Sequence, residues 1–141
     1  MRFWSQSLSE RIREAFAFLT ESHGYRLVVV SDAGYMGGTV AYRSDDLWIT
    51  VAWDRSDPWL EFSPTGLYVK VNWQCFELLR RGGLREVVGM PAACASAPEL
   101  AAYVHEHIGE IELRFQHPQR EATLAELAKL KSERSSAFSE C

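Results

Sequence analysis

Cysteine is scarce: Cys75, Cys94 and Cys141 are the whole set, and no two form a C-x-x-C pair. An odd, scattered set of thiols excludes the disulfide framework of small secreted domains and suits a reducing compartment. Long apolar runs are missing as well. Nothing approaches the ~20 residues that a membrane-spanning helix needs, and residues 1–10 hold no apolar run of signal-peptide length. A cytoplasmic location without a membrane partner is therefore expected. A basic surplus is also absent: 15 Lys and Arg stand against 19 Asp and Glu, a formal charge of −4. Binding nucleic acid through broad phosphate contacts would want the opposite sign. A mildly acidic balance is compatible with a basic protein partner, and equally with solubility alone.

The motifs of catalysis and metal binding fail on spacing. His105-Glu106-His107 resembles a ligand set, but helix positions two apart point about 200° away from each other. The H-E-x-x-H spacing of zinc hydrolases does not occur. His107 with Glu110 supplies at most two ligands. The glycines of 33–38 join strand to strand, whereas a phosphate loop leads into a helix N-terminus. No serine sits in a G-x-S-x-G turn, and Cys75 has no assured cationic neighbour to make it a thiolate. The aspartates lack the D-x-[DN]-x-[DN]-G pattern of calcium loops. No catalytic residue, metal or cofactor is expected.

What is present is a pattern for a single α+β domain over 1–141, a length at which roughly 68% of the unfolded surface is buried without help from disulfide or metal. Ser7 and Glu10 have capping-box spacing, and Leu8, Ile12, Ala15, Phe16 and Leu19 form an apolar stripe, so 7–23 reads as a helix closed by Gly24. Five runs rich in β-branched and aromatic residues follow, at 25–30, 39–43, 47–53, 59–62 and 67–71. Short Asp-, Gly- and Pro-rich gaps separate them, which predicts an antiparallel meander of four to five strands over 25–71. A short helix is expected at 72–81, ended by Gly82 and Gly83, and a connecting loop at 84–97. Ser96 with Glu99 repeats the capping box. It opens a helical part over 98–134, with one helix to about 115 and another after Pro118. The tail 135–141 is expected to fray. The arrangement is thus an N-terminal helix, a meander, and two to three C-terminal helices packed on the sheet.

Alternation sorts the faces. Val40, Tyr42, Leu47, Ile49, Val51, Trp53, Leu60, Phe62, Leu67, Val69 and Val71 are assigned to the core face. Arg26, Thr39, Ala41, Arg43, Trp48, Thr50, Trp59, Glu61, Tyr68 and Lys70 fall on the other. Leu27 to Val30 is apolar on both sides, which reads as a central or doubly covered strand.

Two patterns bear on function. All five aspartates lie in the hairpin region. In a meander, alternate turns emerge at the same end, which would gather Asp32, Asp54 and Asp57 beside Gly34 and Tyr35. Such an acidic end can receive a basic partner, although Asp is favoured in turns for local reasons alone. Trp48, Trp59 and Tyr68, flanked by Arg26 and Arg43, share the face away from the first helix. Aromatics with Arg are typical of interaction hot spots. The last helices covering them as a second core layer is the alternative.

The segments Phe16-Ala17-Phe18-Leu19, Gly24-Tyr25-Arg26-Leu27, Val40-Ala41-Tyr42-Arg43-Ser44, Leu47-Trp48-Ile49-Thr50-Val51 and Trp53-Asp54-Arg55 resemble small bacterial cytosolic proteins, some of them similar to immunity proteins that accompany toxins. The resemblance spans the first half of the chain. It implies inhibition by tight binding to a toxin, and it supplies no catalytic residues. The expected function is a non-enzymatic protein-binding module, concretely an immunity-type toxin inhibitor with a basic protein partner. The alternative is a small-molecule binder or enzyme with a pocket between the sheet and the C-terminal helices, lined by Trp53, Tyr42 and Phe62, with Asp54 or Glu61 as acid or base. A homodimer through a sheet edge or the last helix is compatible with either.

Overall fold

Ser7 opens the first helix with the expected reciprocal cap: its hydroxyl accepts from the Glu10 amide at 3.1 Å, and Glu10 Oε1 accepts from the Ser7 amide at 2.9 Å. The computed structural model describes residues 7–55, 57–66, 69–80 and 95–133. Helix α1 (Leu8–Ala15) does not run on to residue 23 as one helix. Phe16 leaves helical geometry, and α2 (Ala17–Ser22) follows. Phe16 is fully buried there, its ring 6.2 Å from that of Tyr42, so packing onto the sheet outweighs helix continuity. Gly24, at φ +75°, ends α2, and the Tyr25 amide bonds back to the Leu19 carbonyl.

The strands are β1 (Arg26–Asp32), β2 (Gly38–Arg43), β3 (Leu47–Asp54), β4 (Asp57–Pro64) and β5 (Val71–Asn72). They form one antiparallel sheet in chain order. Helices α3 (Trp73–Arg80), α4 (Ala97–Phe115) and α5 (Arg120–Glu133) complete the fold. The predicted α+β meander is therefore what forms. Among the described residues no helix is long and apolar enough to cross a membrane.

Register assigns the faces residue by residue. Leu27, Tyr42, Ile49, Phe62 and Val71 stand in one cross-strand row, and Val30, Val40, Val51 and Leu60 in another. The buried cluster takes its sheet members from this face alone and joins them to Ile12, Phe16, Phe76, Val104, Ile111 and Phe115 of the helices. Helices α1, α3 and α4 touch the sheet, and α5 packs on α3 and α4.

Two expectations are corrected. First, β1 is neither central nor covered twice. It is the sheet's edge, exposed along its whole length, because the helices pack further in and leave Leu27 and Val30 uncovered. Second, the fifth strand is shorter and later than 67–71. Only Val71 and Asn72 pair with β4, and Val69 is an exposed residue ahead of the strand, not a core residue. Leu67 and Tyr68 lie outside the described residues, as do Gly82, Gly83 and most of the expected loop at 84–97.

Between α3 and α4 lies a half-buried charge cluster. Glu77, 2% exposed, accepts from Arg80 at 3.1 Å, and Arg80 also reaches Glu110 at 3.4 Å. Burial and the neighbouring Glu77 raise the pKa of Tyr103.

Gly38 marks the tightest point of the sheet. A Cβ there would overlap the Trp53 ring and the Ser31 carbonyl oxygen. The backbone oxygen cannot yield, so Gly38→Ala is expected to cost about 1–3 kcal/mol by overpacking. Urea denaturation with unchanged m checks this.

Candidate interaction surface

The face opposite the core carries no helix among the described residues. Its rows are Arg26, Arg43, Trp48 and Ser63; then Val29, Ala41, Thr50, Glu61 and Asn72; then Ser31, Thr39, Ala52 and Trp59. Trp48 and Trp59 are both half-buried. Trp59 lies opposite Ala52, four residues along β3 from Trp48, so the two indoles flank the Thr50–Glu61 row roughly 13 Å apart along the strand.

Each tryptophan is held by a charged neighbour. The Arg43 guanidinium lies 5.7 Å from the centre of the Trp48 ring. Its Nε is buried without a hydrogen-bond partner among the described residues. The Trp59 indole donates to Glu61 at 3.3 Å, and Glu61 is 4.0 Å from the Lys70 ammonium. Sequence alternation placed Glu61 and Lys70 on this face, and Glu61 also as a candidate acid or base of the alternative pocket, but did not foresee its contacts with Trp59 and Lys70. The signal available was position alone, since Glu61 directly faces Thr50 in the middle row.

A groove of about 520 Å³ runs along this face, walled by Ala41, Trp48, Thr50, Glu61, Val69 and Lys70 among others. A second cleft of about 370 Å³ shares Glu61 and Lys70 but opens between β5 and α5, against Leu124 and Leu127. Trp53, Tyr42 and Phe62 line neither. They are at most 3% exposed and belong to the core.

The acidic end forms as the meander requires. Asp32, Gly38, Trp53 and Pro58 make the last row, and Asp54 stands directly opposite Asp57. All three aspartates are exposed. Asp32 also has a local task, since its carboxylate accepts from the Gly34 amide at 2.7 Å. Asp54 is 3.9 Å from Arg55, an exposed pair of small energetic weight. The loop above them is anchored by the Trp53 indole, which donates to the Gly34 carbonyl at 3.2 Å. Tyr35 sits in the short 3-10 turn Gly34–Met36 of that loop. Tyr68 lies outside the described residues. Arg26 is exposed at the start of β1 and faces Arg43 directly across the pair.

The histidines of α4 diverge. His105 packs edge-on to Phe18 at 4.8 Å, while His107 lies 4.7 Å from the Tyr103 ring. Among the described residues no group of three His, Cys, Asp or Glu side chains is placed to hold a metal ion. At the other end of the sheet a cleft of about 290 Å³ gathers His23, Asp45, Asp46 and Glu112. Beside it the Tyr25 hydroxyl donates to Glu112 at 2.8 Å.

A scan against protein-family models, and searches of curated proteins and of solved structures, give no match to this chain.

Proposed function

We propose that the chain is a non-enzymatic protein-binding module that receives a partner on the open sheet face and its acidic end. In its most concrete form it is an immunity-type inhibitor that neutralises a toxin by occluding it. One observation carries the reading: a full face of the sheet is left without a helix among the described residues, and it presents two half-buried tryptophans beside an arginine with an unsatisfied Nε. Indole and guanidinium groups dominate interface energetics, and a buried donor without a partner gains most from an acceptor brought by another chain. The carboxylates of Asp32, Asp54 and Asp57 would meet basic groups at the rim and speed encounter.

The test uses the product of the adjacent gene, titrated by calorimetry against the wild type and against Trp48→Ala and Trp59→Ala. Each substitution is expected to cost at least about 2 kcal/mol of binding, close to thirtyfold in Kd. The melting temperature should change little, because neither ring belongs to the core cluster. Absence of binding, or binding indifferent to both substitutions, would contradict the reading.

The groove favours a second reading, a small-molecule binder, because its volume lies within the ~300–1,000 Å³ of ligand sites. Quenching of Trp48 fluorescence by a bound small molecule, without any protein partner, would favour it.

A further inference from the structure

Two arginines stand side by side at one end of the open face. Arg26 of β1 is directly opposite Arg43 of β2, and the row continues through Trp48 to Ser63. Side chains opposed in this way leave the backbone about 4.5–5.5 Å apart, and like charges there are unfavourable. Neither guanidinium forms an ion pair among the described residues. Arg26 is exposed. Arg43 lies over Trp48, and its buried Nε has no hydrogen-bond partner among those residues. An indole face attracts the charge, but it is no substitute for an oxygen facing the five N–H donors of a guanidinium. The acidic turn between β2 and β3 does not supply that oxygen. Asp45 and Asp46 instead line the cleft with His23 of the first helical segment and Glu112 of α4.

We propose that the Arg26–Arg43 pair is a carboxylate-binding site, filled by an acidic side chain of the docked protein. The occupant rests on the reading of the open face as a docking surface. A carboxylate has two oxygens and about four lone-pair sites, so it can accept from both guanidiniums at once. It removes their mutual repulsion and satisfies the Arg43 Nε in one contact. Trp48 and Ala41 wall the groove beside it, and partial burial of this kind limits screening by salt.

The rest of the face restricts the ligand to a single acidic group. In the middle row Glu61 stands opposite Thr50 and 4.0 Å from the Lys70 ammonium. At the far end, the alternation of Trp48, Thr50 and Ala52 continues to Asp54, directly opposite Asp57. That acidic pair lies roughly 20 Å along the strand from Trp48. A polyanion such as nucleic acid would run from the arginines into these carboxylates. A protein segment with an acidic residue at one end and a basic residue at the other matches both ends. The partner is therefore bipolar across this face, not uniformly basic.

The first test needs the chain alone. The nitrogen-15-labelled protein would be titrated at constant ionic strength with a capped tripeptide carrying a central glutamate, and with one carrying a central lysine. The glutamate peptide is expected to shift the Arg43 Nε and Trp48 indole signals, and the lysine peptide neither. Arg26→Gln, checked for folding by circular dichroism, should bind the glutamate peptide about fivefold more weakly. Signals that stay in place with glutamate, or that respond equally to lysine, overturn the site. The second test measures binding of the adjacent gene product to Arg26→Glu. The variant should bind about tenfold more weakly, whereas a uniformly basic partner would bind it more tightly. That gain, or no change, overturns the partner's acidic side chain as the occupant. If the gene product does not bind at all while the glutamate peptide does, the docking reading fails, and the site stands for a free carboxylate. Self-association in sedimentation that Arg26→Glu abolishes would assign the carboxylate to Asp54 or Asp57 of a second copy and overturn the partner as its source.

Discussion

Replacing Phe62 by alanine is expected to remove about 3–5 kcal/mol of stability, a large share of the ~5–15 kcal/mol that a domain has. Phe62 is fully buried on β4. Its ring meets Phe76 of α3 at 5.5 Å and Phe115 of α4 at 6.1 Å, and those two rings stack at 5.8 Å. Three elements distant in sequence are joined at this point, so truncation leaves a cavity that no single element can close. Phe62→Leu keeps most of the volume and should cost less than about 1.5 kcal/mol. Urea midpoints at constant m measure both. A Phe62→Ala loss no larger than that of Phe62→Leu would mean that the three-ring joint does not hold the layers together.

Alkaline pH is expected to cost about as much. Three tyrosines have raised pKa values relative to the ordinary 10.0. Burial pushes Tyr42 up to about 12. Burial, and then the hydrogen bond to Glu112, raises Tyr25 further, and burial followed by Glu77 does the same for Tyr103. The native state keeps these hydroxyls protonated at a pH where the unfolded chain has released them. Their contribution is complete below pH 10 and is lost as pH climbs from there through the native values. Each group costs a little over 1 kcal/mol per pH unit in that window, so the three together should remove roughly 4 kcal/mol by about pH 11. Denaturation midpoints should be flat with respect to these groups up to about pH 9 and then fall steeply. Tyr42→Phe should make the fall shallower. Stability that held unchanged through pH 11 would contradict the burial of these hydroxyls.

Local chemistry was legible in the sequence. The Ser7–Glu10 and Ser96–Glu99 boxes form as their spacing predicts, because a cap involves only residues three apart. The Ser96 amide, and then the Ser96 side chain, also hold the Glu99 carboxyl below its ordinary range. Alternation sorted β3 and β4 correctly, since a period of two is intrinsic to a strand. The failures concern facts set elsewhere in the chain. Leu27 to Val30 reads as a buried run, but burial depends on which strand ends the sheet and how far the helices extend. Val69 fits the core period, yet pairing begins only at Val71. The open face was legible as a set of residues. Its wiring was not: Arg43 over Trp48, Trp59 to Glu61 to Lys70, and Trp53 to Gly34 across nineteen positions all depend on strand register or loop path. The acidic end was legible as topology, while the use of Asp32 to hold the Gly34 amide belongs to the turn itself.

Side-chain indole resonances give the most direct test of the open face as the docking surface. The chain carries Trp48 and Trp59 on that face, and Trp53 and Trp73 in the core, so surface probes and internal controls coexist in one spectrum. The protein, labelled with nitrogen-15, would be titrated with the adjacent gene product. The Trp48 and Trp59 indole signals should shift or broaden while those of Trp53 and Trp73 stay in place. Binding that leaves Trp48 and Trp59 unmoved would contradict the account.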